Sequence, residues 1–322
     1  MGGLTMYIIE RERDMQAFSL QGMTPAELPP RAVVALGFFD GVHKAHAAVL
    51  AEARALADAR SLPLLVYTFR ADDPPKGGLL LSSDRERAAH FSSLGARYAV
   101  FARFSEVSHL SPREFIDTVL LLKLGAAAVV VGEDFRFGYR AAGDAALLAS
   151  AFREAGLECR VIRPLLDGGA PISSSRIRAM LKEGDPEGAL RLLGRPYALN
   201  LPVMRGRNLG HTLGFPTANQ HPEEWRAVPR FGVYVTEVTL PCGARFFGVT
   251  DVGTRPTVSG EGIRLETHLL DFSGDLYGKQ LTVAFLHRLR DERRFTSLSE
   301  LSAGIANDCK EAREWMLANG RS

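Results

Sequence analysis

Short runs of apolar residues alternate with amphipathic segments through the first half of the chain. Five of these runs have the length and composition of buried strands, at residues 32–36, 64–69, 98–104, 127–131 and 158–164. Helices are predicted at residues 47–59, 111–125, 144–155 and 175–182. The alternation predicts an α/β fold, with a parallel sheet covered by helices on both faces. Such sheets bind ligands at the carboxyl ends of their strands.

The helix boundaries carry their own signals. Ser111 and Glu114 form a capping box with Pro112 at the first helical position, and Gly156 follows the helix at 144–155. In the helix at 47–59, one face collects the apolar residues Val49, Leu50, Ala53, Leu56 and Ala57. That face is expected to pack on the sheet.

The pattern changes near residue 186, where one more short helix starts. Beyond it, strands with alternating polar and apolar residues are predicted at 197–205, 232–240, 245–251, 265–271 and 280–289, which indicates a small barrel or sandwich. A final helix opens with Ser297 and Glu300 as its capping box. Its apolar stripe is Ile305, Cys309, Ala312 and Met316. Two domains are therefore predicted, residues 1–186 and residues 187–322.

Composition excludes several classes of protein. Of 322 residues, 46% are hydrophobic, which excludes disorder as the dominant state. The 39 basic and 37 acidic side chains nearly cancel, so no nucleic-acid partner is expected. Three dispersed cysteines argue against a disulfide framework or a zinc site and favour the cytoplasm. No signal peptide or membrane span is expected, because charged residues interrupt every apolar stretch.

A strand-to-helix turn at residues 37–46 is the first candidate site. His43 and His46 lie three residues apart, so both face one side of the first helical turn. Backbone N–H groups and the helix dipole favour an anion there. A bare pair of histidines is more often a capping turn with surface side chains. The preceding strand and the following helix favour a phosphate site instead.

Two further segments follow later strands. Residues 132–138 combine a carboxylate, two aromatic rings and an arginine at a strand end, a set that can hold a flat ring. The alternative places the aromatic rings in the core, and the segment alone favours neither. Residues 173–176 place three serines and Arg176 at a helix start, suited to phosphate oxygens. Taken alone, plain serine capping is the default interpretation.

The second half holds the last two candidates. Residues 206–219 form a glycine-rich loop that could wrap phosphates with its amides, and Thr217 and Asn219 offer oxygen ligands suited to Mg²⁺. The alternative is a pair of β-turns. In the strand at 265–271, Glu266, His268 and Leu270 share a face. A carboxylate on the inward face of a barrel would suit a general base, whereas a solvated face is the default without context.

In their order along the chain, these five segments resemble the bifunctional bacterial riboflavin kinase/FMN adenylyltransferase family over roughly residues 33–313. The resemblance implies a Rossmann-like nucleotidyltransferase domain at 1–186, followed at 187–322 by a six-stranded flavokinase barrel with a C-terminal helix. It implies FAD biosynthesis, in which riboflavin and ATP give FMN and ADP, and FMN and a second ATP give FAD and pyrophosphate.

The resemblance also implies roles for single residues. Glu266 matches the carboxylate that activates the ribityl hydroxyl, and His43 and His46 match the pair that holds the ATP phosphates. The implied ATP or phosphate contacts are Gly37, Phe39, Asp40, Asp134, Ser174, Arg176, Gly210, Gly214, Thr217 and Asn219. Thr217 and Asn219 are the implied Mg²⁺ ligands, and Phe137 and Arg290 the implied flavin contacts. The expected partners are riboflavin, FMN and ATP, bound by a monomer or a transient homo-oligomer without nucleic acid or membrane.

Some positions depart from the family pattern. Ala45 replaces the glycine of the His-x-Gly-His motif, and residues 70–76 lack the usual Pro-His-Pro. In the second half, Asp251 stands where asparagine is usual. The first two departures motivate one alternative, a riboflavin kinase with an impaired adenylyltransferase domain. A second alternative, from a different class, is a non-catalytic flavin-binding protein.

Overall fold

The computed structural model describes residues 15–20, 28–205, 214–257 and 260–321. The chain divides into two compact units, Met1–Ser174 and Ser175–Ser322. The domain boundary predicted near residue 186 lies between the first two helices of the second unit. Within the described ranges, no helix is long and apolar enough to cross a membrane.

The first unit is built on a six-stranded parallel sheet. The strands of the whole unit, including those outside this sheet, are β1 (Gln16–Ser19), β2 (Ala32–Leu36), β3 (Leu64–Phe69), β4 (Tyr98–Ala102), β5 (Ala126–Gly132), β6 (Arg136–Phe137), β7 (Gly143–Asp144), β8 (Glu158–Ile162), β9 (Leu166–Asp167) and β10 (Ala170–Pro171). The parallel sheet has the order β1-β4-β3-β2-β5-β8, and β6/β7 and β9/β10 are two short antiparallel pairs. The predicted α/β fold is confirmed.

Helices cover both faces of this sheet. They are α1 (Lys44–Ala59), α2 (Asp84–Ser93), α3 (Phe104–Val107), α4 (Pro112–Glu114), which continues as a π-helix over Phe115–Lys123, and α5 (Ala145–Glu154). Alternate residues of β2 point to opposite sides: Val33 packs with α1 and α2, and Val34 packs with the π-helix and α5. Burial on both faces explains why the central strands are continuous apolar runs.

Some features of the helices are predicted correctly from the sequence, whereas helix α2 is not. The five apolar residues predicted to form one face of α1 are its buried residues. The capping box of Ser111 and Glu114 is also confirmed. The apolar spacing does not predict helix α2, because its buried positions include Arg87, which breaks an apolar stripe. The capping box formed by Ser83 and Glu86 was the available signal.

The second unit begins with α6 (Ser174–Glu183) and α7 (Pro186–Leu193), followed by a curled antiparallel sheet. Its six strands are β11 (Tyr197–Pro202), β12 (Ala218–Gln220), β13 (Gly232–Thr239), β14 (Arg245–Thr257), β15 (Gly260–Leu269) and β16 (Gln280–Arg290), in the order β11-β16-β13-β14-β15-β12. Met204, just after β11, bridges to Asn219 on β12. The buried Gln220 amide donates to the carbonyls of Leu201 and Leu281 at 2.6 and 3.1 Å. These contacts join the two edges, as the predicted barrel requires.

The last helix, α8 (Leu298–Ala318), packs on the outer face of this sheet against Val233, Val235 and Val249. Ser297 caps it as predicted, but Glu300 bonds the N–H of Thr296 rather than that of Ser297. Its most buried positions include Asp308, outside the predicted apolar stripe.

Candidate active sites

The turn after β2 has an unusual backbone. Phe39, Gly41 and Val42 all adopt positive φ, at 54°, 78° and 39°. A β-branched residue rarely adopts this conformation, and such strain persists only where the surroundings enforce it. Gly37 opens the turn and donates its N–H to the Tyr67 carbonyl at 3.2 Å. The turn therefore carries the chain from the carboxyl end of a central strand into α1.

The two histidines form a stacked pair at the start of α1. Their ring centroids lie 3.5 Å apart, with 16° between the planes. His43 Nδ1 accepts the backbone N–H of His46 at 3.3 Å, so the proton of a neutral His43 ring lies on Nε2. Burial, followed by the charges of His43 and Arg87, holds the pKa of His46 well below its usual value. The His46 ring is therefore neutral at pH 7.

One polar atom in this turn fits an anionic ligand. His46 Nδ1 is buried and has no hydrogen-bond partner among the described residues. A buried polar atom without a partner is costly in a folded protein, so a ligand that pairs with it gains that energy. The predicted phosphate site is compatible with this observation and with the anion preference of a helix start.

Asp40 holds the turn in place. Its carboxylate is buried and accepts the backbone N–H groups of Leu81 and Ser82 at 2.8 and 3.2 Å. Its carbonyl accepts the Ser174 hydroxyl at 2.9 Å. Two residues that the sequence predicted as phosphate contacts are thus joined to one another. Arg176 lies in the first turn of α6, half-buried.

Gly37→Ala should damage the first unit selectively. An added Cβ would lie 2.8 Å from the ring of Phe39, which is packed between His46 and Phe91. We expect a loss of about 1–3 kcal/mol in unfolding free energy, the usual cost of overpacking, and slower FAD formation from FMN. Urea unfolding and separate product assays measure both. Gly77→Ala is the control, because an added Cβ there meets nothing within 4 Å, and equal effects of the two variants would contradict this account.

The aromatic segment after β5 is divided between core and surface. Phe137, the predicted flavin contact, is buried in the core against Phe115 and stacks with Phe135. Phe135 is only half-buried, and Asp134 is exposed. Of the two interpretations left open, the core interpretation describes Phe137.

The loop that departs from the family pattern is stabilised by charge. Arg70 forms a two-bond ion pair with Asp72 at 2.7 and 2.8 Å, and Asp73 accepts the N–H and hydroxyl of Ser105. The loop next to the central strand end therefore has a defined conformation without the usual proline pattern.

Arg87 is a site-supporting residue that the sequence did not single out. Its guanidinium is fully buried and donates to the carbonyls of Phe38 and Phe69, each at 2.6 Å, and to Asp84 at 2.5 Å. It thereby fixes the ends of the neighbouring strands β2 and β3. Strand β2 leads into the turn at residues 37–46, called here the histidine turn.

In the second unit, two predicted site residues and one residue that departs from the family pattern lie in one row across the sheet. Asn219 on β12 is paired with Glu266 on β15, which is paired with Asp251 on β14. Directly paired residues of antiparallel strands have neighbouring side chains on the same face. The metal ligand and the base inferred from separate motifs are thus neighbours.

The burial of its neighbours shows which face of β15 carries Glu266. Leu265 and Thr267 are fully buried inside the curled sheet, where Thr267 bonds Thr250. Because alternate residues of a strand face opposite sides, Glu266 lies on the outer face, with its side chain 36% exposed. Of the two interpretations left open, the solvated face describes Glu266, and the row lies on the face that α8 also covers in part.

Neighbours of Glu266 complete this surface. His268 lies on the same face, and its Nδ1 is 2.9 Å from the carbonyl of Pro216, which precedes Thr217. The Asn219 amide donates to the Thr217 carbonyl at 3.3 Å. Arg264 contacts Glu266 at 2.5 Å and Asp251 at 3.1 Å. The sequence did not single out Arg264, although its two-residue spacing from Glu266 places both on one face.

Arg290 on β16 continues this row, because Val233 on β13 is paired with both Arg290 and Asp251. Arg290 forms two bonds to the buried Asp308 of α8 at 2.7 and 2.6 Å, so it ties that helix to the sheet. Gly214 is exposed with a φ of 85°. Gly210 lies outside the described residues.

Asp251 makes the second unit sensitive to pH. Burial raises its pKa to about 6, with Glu292 and Glu266 adding to the rise and Arg264 and Arg290 opposing it. Because the folded state then holds this proton more tightly than the unfolded state, stability falls as pH rises from about 4 to about 6.

Asp251→Asn should remove this cost. We expect the variant to exceed the wild type by about 1–2 kcal/mol in unfolding free energy at pH 8, with the difference vanishing near pH 4. Urea unfolding at both values measures it. Asp271→Asn should instead lower the unfolding free energy at pH 8 relative to the wild type, because the bond from Arg313 holds the pKa of the exposed Asp271 below its usual value. A pH-independent difference for Asp251→Asn would contradict the assignment.

Known proteins match both units. A family model described as FAD synthetase matches residues 26–176, and one described as riboflavin kinase matches residues 193–316. A bifunctional riboflavin kinase/FMN adenylyltransferase of Escherichia coli (strain K12) is 38% identical over 88% of this chain and 92% of that protein. The protein of that description from Bacillus subtilis (strain 168) is 33% identical over 88% and 92%.

A solved structure shows the same overall likeness. A crystal structure described as a macrolide-efflux protein from Streptococcus pneumoniae has a TM-score of 0.82 and 28% identity, covering 93% of this chain and 99% of its own. That description belongs to that protein alone. With both family models matched in order and relatives similar over most of their length, the chain belongs to the bifunctional riboflavin kinase/FMN adenylyltransferase family.

Proposed function

We propose that the two units carry out consecutive ATP-dependent steps of FAD biosynthesis. The second unit phosphorylates riboflavin to FMN, and the first transfers an adenylyl group to FMN, giving FAD and pyrophosphate. The observation that carries this proposal is the row of Asn219, Glu266 and Asp251, in which residues from separate motifs occupy neighbouring positions. The histidine turn supports the second activity in the same way.

For the kinase step, we assign Glu266 as the general base. Its carboxylate accepts the proton of the ribityl 5′-hydroxyl as that oxygen bonds the γ-phosphorus of ATP and ADP leaves. Thr217 and Asn219 would hold Mg²⁺ with ATP, since their oxygens are the hard donors this ion prefers and water and phosphates complete its shell. Bound there, Mg²⁺ would neutralise phosphate charge. His268 supports Thr217 by holding the carbonyl of the preceding residue.

For the adenylyl step, we assign the histidine pair to the ATP phosphates. An oxygen of the FMN phosphate bonds the α-phosphorus of ATP while the bond to pyrophosphate breaks. Negative charge builds on the bridging and leaving oxygens, so donors fixed in advance lower the barrier. His43 Nε2–H and the N–H groups at the start of α1 are suitable donors.

The alternatives predict different products. Ala45, in the first turn of α1, and the charged loop at 70–76 are the observations that favour an impaired first unit. Purified full-length chain, ATP and Mg²⁺ are incubated with riboflavin in one arm and FMN in another, and products are separated by chromatography. We expect FMN and FAD in the first arm and FAD in the second. FMN without FAD would leave only the kinase, and neither product would reject both activities.

The finer assignments rest on the sequence. We propose residues 1–186 as the adenylyltransferase domain and residues 187–322 as the kinase domain, acting in the cytoplasm as a monomer or transient homo-oligomer without a nucleic-acid partner. The near balance of 39 basic and 37 acidic residues supports small nucleotides as the bound anions, since these need local donors rather than a basic surface.

A further inference from the structure

Arg264 is held in one orientation from two sides. Its Nε–H donates to the Thr254 carbonyl at 3.1 Å, and an Nη2–H donates to Asp251 Oδ2 at 3.1 Å. The side chain is only 21% exposed. A planar guanidinium bonded at both its Nε and its Nη2 edge has little rotational freedom. Its remaining terminal nitrogen, Nη1, is therefore aimed in a fixed direction.

That direction is toward the proposed base. Nη1 lies 2.5 Å from Oε1 of Glu266. Charge-assisted bonds between an arginine and a carboxylate are among the strongest that side chains form. A glutamate otherwise has three rotatable side-chain bonds, and Glu266 is 36% exposed on an open face. Its orientation therefore depends on Arg264.

The other charged residues near Glu266 do not replace Arg264 as its ion-pair partner. Glu292 also approaches, with Oε1 at 3.6 Å from Arg264 Nη2, so three carboxylates share one guanidinium. Arg290, the next arginine in the area, is engaged with Asp308 through two bonds. Glu266 has Arg264 as its one ion-pair partner among the described residues.

We infer that Asp251 and Arg264 are positioning residues of the kinase step, in which Asp251 orients Arg264 and Arg264 orients the Glu266 carboxylate toward the substrate hydroxyl. This inference rests on the proposed role of Glu266 as the base. Oε1 is the oxygen held by Arg264, and Oε2 is the oxygen assigned to the hydroxyl. Orientation of this kind controls rate strongly, since small misplacements of a reacting group cost large factors.

Steady-state kinetics of FMN formation by the full chain provide the test. We expect Arg264→Met to lower kcat by about 10–100-fold and Asp251→Ala by about 5–20-fold, with the KM for riboflavin and for ATP within about 3-fold of wild type. Asp251→Asn should recover most of the rate lost in Asp251→Ala, because its amide oxygen still accepts from Arg264. Equal loss in both Asp251 variants would overturn the inference.

A double-mutant cycle separates positioning from a general structural role. In the Arg264→Met background, Asp251→Ala should add less than about a 2-fold loss, because Asp251 acts through Arg264. In a Glu266→Gln background, neither change should lower the residual rate by more than about 2-fold. Independent, multiplying losses in either background would overturn the inference.

Two controls keep the outcomes distinct. Arg313→Met removes a two-bond arginine–aspartate pair of the same unit, with Asp271 at 2.8 Å, that does not contact Glu266, and it should leave kcat unchanged. Glu266→Gln alone tests the proposed base. If that variant keeps the wild-type rate, the assigned role of Glu266 fails; if it loses the rate while Arg264→Met does not, only the positioning inference fails.

Discussion

Glu266→Gln is expected to slow FMN formation from riboflavin by about 10²-fold or more, the usual size of a lost general base. Glutamine keeps the shape of the side chain and an oxygen that can accept from Arg264, but it does not accept the hydroxyl proton. Conversion of FMN to FAD should stay within about 2-fold of wild type, because the change lies in the other unit. Chromatography of products from riboflavin and from FMN measures both rates in one preparation.

The matched control for this variant is Glu237→Gln. Glu237 is a partly exposed carboxylate on β13 that contacts Arg245 at 3.6 Å, and no proposed substrate contact lies beside it. Both activities should survive in the control. If Glu266→Gln reduced FMN and FAD formation equally, the division of the two reactions between the units would be wrong.

The sequence predicts the elements of the first unit well because they follow simple periodicities. The buried face of α1 matches the apolar spacing residue by residue, since that helix has one side on the sheet and one in water. Helix α2 does not follow this rule, because Arg87 is fully buried and bonded to carbonyls at two strand ends. A charged residue with such partners has no signature in a hydrophobic pattern.

The second unit shows a different gap between sequence and structure. The spacing of Glu266 and His268 correctly places them on one face, whereas Leu270 lies in the turn after β15. The spacing does not say which face is inside. That choice depends on Leu265 and Thr267, which fill the interior, and on the pairing of β15 with β14 and β12. The same pairing brings Asp251 and Arg264 beside the base. Register is set by tertiary packing, so the motif residues were identifiable, whereas their supporting network was not.

The second large effect is expected for His46→Ala, which should slow FAD formation from FMN by about 10²-fold or more, as the loss of a fixed donor to charged oxygens usually does. The reason lies in the stacked geometry. The rings of His43 and His46 are stacked with their centroids 3.5 Å apart, and the His46 ring packs edge-to-face with Phe39 at a centroid distance of 5.2 Å. Removal of the His46 ring therefore eliminates one donor and loosens the other.

His109→Ala is the control, because His109 is exposed and lies outside the turn. FMN formation should be unchanged in both variants, and unchanged FAD formation in His46→Ala would remove the phosphate role. A pH profile adds an independent measurement. Since burial holds the pKa of His46 well below its usual value, the ring stays neutral from pH 8 down to pH 6.5. The wild-type kcat/KM for ATP, which reports the ligand-free protein, should therefore show no titration of His46 in that range. A His46-dependent step near pH 6.5 would show that the ring acts as a cation.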